Sequence, residues 1–129
     1  MDPGLEPVRQ IAEIFNVSLT AAAVRWVSEL CDYPVMMMIS DGTQSHWWRH
    51  NEKRARTLRL ESRQRLSPET CAYAYAHNEP VESGVAEHTW EIWFPHIENE
   101  ESPAVYESTI PLGDCGLFLT ILHVPDLVE

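Results

Sequence analysis

The sequence predicts an α+β fold: two short N-terminal helices, then an antiparallel sheet of five or six strands with one helix packed on it. Three observations carry that expectation. Up to Leu30, apolar residues recur every three or four positions, the period of an amphipathic helix. Beyond Pro34 the pattern changes to alternation or to short, wholly apolar runs, which is strand composition. Strands that follow helices in a block, rather than alternating with them, belong to the α+β class.

The first helix places Val8, Ile11, Ala12 and Phe15 on one face. Asn16 tolerates the left-handed conformation that ends a helix, and Ser18 can cap the next one by accepting a backbone N–H bond. Ala22, Ala23, Trp26, Val27 and Leu30 then repeat the helical period. Two helices joined by so short a turn read as a helix-turn-helix over residues 1–33. Pro34 pushes Tyr33 into an extended state and opens the second unit, residues 34–129.

Val35 to Ile39 is apolar at every position, as expected of a strand covered on both faces. Asp41-Gly42 predicts a hairpin with a type I′ turn, returning as a strand from Thr43 to His50. Alternation puts His46, Trp48 and His50 on one face of it, and Ser45, Trp47 and Arg49 on the other. Leu58 and Leu60 alternate with charged residues and suggest a short edge strand. Ser67-Pro68-Glu69 has the chemistry of a helix start, predicting a helix from Pro68 to His77. Gly84 to Phe94 alternates again, with His88, Trp90, Ile92 and Phe94 on one face. After an acidic loop from His96 to Pro103 come two more strands, Ala104 to Leu112 and Gly116 to Val124. The last is apolar on both sides, so it should lie centrally.

A chain of 129 residues buries roughly two-thirds of its unfolded surface, enough to fold without staples. No apolar run reaches the roughly 18–20 residues of a membrane span. The first seven residues have neither a basic nor an apolar block, so no secretory signal is expected. Cys31, Cys71 and Cys115 are odd in number and widely spaced, which predicts reduced thiols in a cytoplasmic protein. The net charge is −11, yet seven of the nine Lys and Arg residues fall between Arg49 and Arg65. The strip is expected either to fold back onto the acidic remainder or to bind phosphate or a partner.

Ile11-Ala12-Glu13-Ile14-Phe15-Asn16-Val17-Ser18 and Ala23-Val24-Arg25-Trp26-Val27 resemble the helix-turn-helix of the ImmA/IrrE family of zinc metallopeptidases. Pro34 to Ser40, Asp41-Gly42 and Trp47-Trp48-Arg49 resemble the start of the region C-terminal to that family's catalytic core. Tyr106 to Leu112, with Leu119 to Leu122 and Pro125-Asp126, resembles its final hairpin. The resemblance implies a helical connector joined to a GAF-like sensor domain, in a protein that acts on transcriptional repressors. It also implies as partners an upstream peptidase domain or a repressor. The family's catalytic chemistry rests on a His-Glu-x-x-His helix. None of His46, His50, His77, His88, His96 and His123 lies in such a motif, so a non-catalytic regulatory region is expected, with no catalytic residue, cofactor or metal ligand.

Other chemistry was sought in the residues themselves. The 1–33 unit has two Arg against five acids, which argues against DNA binding through it, because phosphate neutralisation dominates such affinity. His46 and His50 would lie about 13 Å apart along a strand, too far for one metal ion. Cys31 and Cys71 read as inert core thiols. The aromatic residues suggest a small-molecule pocket lined by His46, Trp47, Trp48, Arg49, Tyr73 and Trp93. The alternatives are a nucleic-acid surface built from Arg49, Lys53, Arg54, Arg56 and Arg59, and a homodimer formed through an exposed apolar helix face.

Overall fold

The central strand pair of the molecule is built from its two most apolar segments, β1 (Val35–Ser40) and β5 (Phe118–His123). The computed structural model describes residues 5–15, 18–81 and 84–129, so the helix end expected at Asn16 lies outside the described residues. Around the central pair lie β2 (Ser45–His50), β4 (Val105–Pro111) and β3 (Ala86–His88). The five form one open sheet in the order β2-β1-β5-β4-β3, antiparallel throughout. Every residue of β1 is buried, because the sheet is covered on both faces.

One face carries the N-terminal helices α1 (Leu5–Phe15) and α2 (Leu19–Arg25). Their Val8, Ala22 and Ala23, with Trp26 and Val27 just after α2, bury against Val35, Met37, Ile39, Leu119 and Ile121 of the sheet. Ser18 caps α2 as expected, its hydroxyl accepting from the Ala21 N–H at 3.1 Å. The helix then widens into a π-helical turn, Trp26–Leu30. That change of phase moves Leu30 off the buried face, where strict α-helical spacing would put it, and leaves it 51% exposed.

The other face carries Met36, Met38, Leu122 and Val124, covered by α3 (Cys71–Ala76), α4 (Trp90–Trp93) and the irregular strap 51–66. Successive residues of β1 and β5 thus feed opposite cores, as strand alternation requires. The two adjacent tryptophans of β2 divide the same way, Trp47 toward the helical side and Trp48 toward the strap.

Four local expectations are corrected. Residues 84–94 do not form one strand: the chain pairs only from Ala86 to His88, turns at Thr89, and continues as α4. Trp90, Trp93 and Phe94 sit at helical spacing and are all buried, a solution the alternating pattern conceals. The helix after Ser67 starts at Cys71 rather than Pro68. Thr70 is its cap, accepting from the Tyr73 N–H, while Ser67 Oγ accepts from the Glu69 N–H to make a separate turn. Leu58 and Leu60 are buried but form no strand; among the described residues the strap's β-bridge to the sheet side is Gln44 to Arg65, beyond both leucines. Finally, the β1–β2 turn is not type I′. Gly42 alone has positive φ there, +84°, and the Asp41 carboxylate accepts from the Thr43 and Gln44 N–H groups at 2.8 Å each.

Candidate functional site

β2 is an edge strand, and its outer side faces a groove of about 740 Å³. It is lined by His46, Trp47, Trp48, Arg49 and His50 of β2, together with Ser28 and with Leu60 to Arg63 of the strap. The strap is fastened at both ends of the strand. The Ser45 N–H donates to the Gln64 carbonyl at 2.9 Å, and His50 Nδ1 lies 2.8 Å from the Leu58 carbonyl oxygen. Between these ties it bows away from the strand and leaves the groove. Arg63, on the lip, has φ +52°, a conformation that costs a non-glycine residue free energy.

Within the groove the Arg49 guanidinium lies over the Trp47 ring, 5.2 Å from its centroid, and donates to the Trp48 carbonyl at 2.8 Å. Trp48 packs edge-on against His50. His46 Nε2 lies 3.3 Å from Asp41 Oδ2. Burial pushes the Asp41 carboxyl up, but the N–H groups of Gln44 and Thr43 and the contact with His46 outweigh it, and the net shift is downward. Four residues named from the sequence thus line one groove. The other two do not. Tyr73 stacks on His77 with centroids 3.8 Å apart, and Trp93 is fully buried in the strap-side core. Among the described residues Trp93 Nε1 has no hydrogen-bond partner.

The basic strip is exposed at Arg49, Lys53, Arg54, Arg56 and Arg59. Part of it folds back onto acids: Arg54 makes a two-pronged pair with Asp32, at 2.9 and 3.2 Å. That pair holds the Asp32 carboxyl below its ordinary range. The Glu129 carboxylate accepts from the backbone N–H groups of Arg56 and Thr57.

A second polar centre lies under α3, and no spacing in the chain signals it. Glu107 is fully buried, yet its carboxylate accepts from the N–H groups of Cys71 and Ala72 and from the Thr109 hydroxyl, and its Oε1 lies 2.8 Å from His88 Nε2. Thr109 in turn meets Thr120 Oγ1 at 2.7 Å. The strand register explains the meeting. Ala86 pairs with Glu107, so His88, two residues along β3, lies diagonally beside it on the same face. Cys71, expected to be an inert core thiol, is only partly buried and touches this cluster. Burial, then the charge and hydrogen bond of Glu107, raise its pKa to about 11. A thiol so shifted is a poor nucleophile at neutral pH.

Among the described residues no helix is long and apolar enough to cross a membrane, and all three cysteines are free. No family model matches the chain, and no curated protein does.

Proposed function

We propose that this chain is a non-catalytic sensor region whose ligand binds in the β2 groove. The observation that carries the reading is the convergence of His46, Trp47, Trp48 and Arg49 on one open cavity at the sheet edge. A guanidinium held over an indole suits a flat ring bearing a carboxylate or phosphate: the ring stacks against the guanidinium or Trp48, and the free N–H groups of the fork pair with the anion. In a chain of net charge −11, this groove is charge-balanced, with Arg49 and Arg63 against Glu52 and Glu61.

The biological setting we propose is the cytoplasmic regulatory region of an ImmA/IrrE-type, repressor-cleaving metallopeptidase, with a helix-turn-helix connector and a GAF-like sheet domain. The sequence resemblances support it, as does an antiparallel sheet flanked by helices, the arrangement a GAF-like domain implies. An upstream peptidase domain or a repressor would then read the liganded state.

The test is titration of the purified chain with a nucleoside monophosphate and an aryl carboxylate, followed by tryptophan fluorescence. Saturable quenching, weakened about tenfold or more by Arg49→Ala as expected for losing a charge-assisted pair, supports the reading. No quenching at millimolar concentration of either probe contradicts it.

A further inference from the structure

We propose that Cys71, His88 and Glu107 form a binding site for a divalent transition-metal ion of the zinc class. The thiol sulfur, an imidazole nitrogen and a carboxylate oxygen all lie within 4.8 Å of one another. They come from three elements, α3, β3 and β4, so the sheet register and the helix packing hold them together rather than one flexible loop. Sulfur, nitrogen and oxygen in a trio are a donor set that zinc accepts, at roughly 2.0–2.3 Å from the ion, which puts the ligand atoms about 3.3–3.7 Å apart. His88 Nε2 and Glu107 Oε1, now 2.8 Å apart, must separate by less than an ångström to admit an ion between them.

The surroundings suit a metal better than a nucleophile. The Glu107 carboxylate is oriented by two backbone N–H groups and the Thr109 hydroxyl, the kind of outer contact that fixes a ligating carboxylate. In a thiol–imidazole catalytic pair the base faces the sulfur, whereas here His88 Nε2 is bonded to Glu107. On binding, the Sγ–H bond of Cys71 breaks, its proton leaves to solvent, and an Sγ–metal bond forms. His88, whose Nε2–H faces Glu107 in the metal-free chain, coordinates through Nε2 as the neutral imidazole once that proton has passed by way of solvent to Nδ1.

Three protein ligands leave a fourth position of a tetrahedral ion for water or another ligand. Cys71 also lines a cavity of about 240 Å³ with Glu69, Thr70 and Ala86, so the residue borders an open space beside the cluster.

The experiment is titration of the reduced, metal-free chain with Co²⁺ and then Zn²⁺, followed by absorption spectroscopy and calorimetry, on the wild type and on Cys71→Ser and His88→Gln. The expected result is one equivalent of Co²⁺ bound with a thiolate-to-cobalt charge-transfer band, displaced by Zn²⁺. Cys71→Ser should abolish the band, and His88→Gln should weaken binding by at least about 100-fold, the upper range for loss of an outer contact alone. Circular dichroism identifies any variant that fails to fold, and the wild-type stoichiometry and band decide the matter without it. Absence of a stoichiometric charge-transfer band in the wild type, or binding that survives both substitutions in folded protein, overturns the proposal.

Discussion

The side chain of Glu107 and the backbone of Ala72 are joined by a 3.0 Å hydrogen bond from the start of a helix to a strand 35 residues away. The same carboxylate takes the Cys71 N–H at 2.9 Å. Two unpaired donors at the helix start and one buried anion therefore satisfy each other, since neither could stay buried alone at acceptable cost. This clamp seats α3 on the sheet.

Glu107→Gln should therefore destabilise the fold by about 3 kcal/mol, because an N–H₂ replaces an acceptor among groups that all donate. Thr120→Val, which removes only the far end of the network, should cost about 1 kcal/mol. Urea denaturation of the two variants checks the ranking.

Gly42 carries both a positive φ and a close approach. A Cβ there would lie 2.3 Å from the Ala76 Cβ and 2.7 Å from the Ala72 carbonyl oxygen, whereas one at Gly113 meets nothing within 4 Å. Gly113→Ala should cost about 1–2 kcal/mol for left-handed backbone alone. Gly42→Ala should cost a further 1–3 kcal/mol, roughly, for the overpacking against α3. Thermal melts of the pair separate the two contributions.

Asp41 supplies a pH dependence of definite sign. Its folded-state pKa is depressed, so the folded chain holds the carboxylate charged more readily than the unfolded chain does. The stabilisation is present above the ordinary carboxylate pKa of about 3.9 and is lost as the pH falls through the lower folded value. Asp41→Ala should remove that component. Denaturation midpoints of the variant should then vary less with pH across the acid range than those of the wild type.

The three thiols should label in a fixed order. Cys115 is exposed, whereas burial raises the pKa of both Cys31 and Cys71. Mass spectrometry of the native protein alkylated near pH 8 should find Cys115 modified first. Rapid modification of Cys71 would show a thiolate that its surroundings do not support.

How much of this was legible in the sequence follows from which interactions are local. The wholly apolar Val35 to Ile39 and the two-sided Gly116 to Val124 announced central strands, and they lie side by side in the sheet. Strand period alone puts Trp47 and Trp48 on opposite faces, where they lie. At residues 90–94 the pattern is ambiguous, because burial at Trp90, Trp93 and Phe94 satisfies a helix as well as alternation does. Leu30 departs from its helical expectation because a π-helical turn carries no period of its own.

The site divides the same way. His46 to Arg49 are consecutive, so an exposed edge strand brings them together by itself. Tyr73 and Trp93 were grouped with them on composition, and packing sent each elsewhere. Cys71, His88 and Glu107 are separated by 17 and 19 residues; the β3–β4 register joins the last two, and the packing of α3 on the sheet brings in Cys71. No spacing in the chain encodes that meeting.

A ligand groove along β2 is decided by the five tryptophan indole N–H resonances during titration with a nucleoside monophosphate or an aryl carboxylate. Saturable shifts should be confined to Trp47 and Trp48, with Trp26, Trp90 and Trp93 unmoved and the response weakened by Arg49→Ala. Unchanged spectra with both probes, or shifts spread evenly over all five indoles, would contradict it.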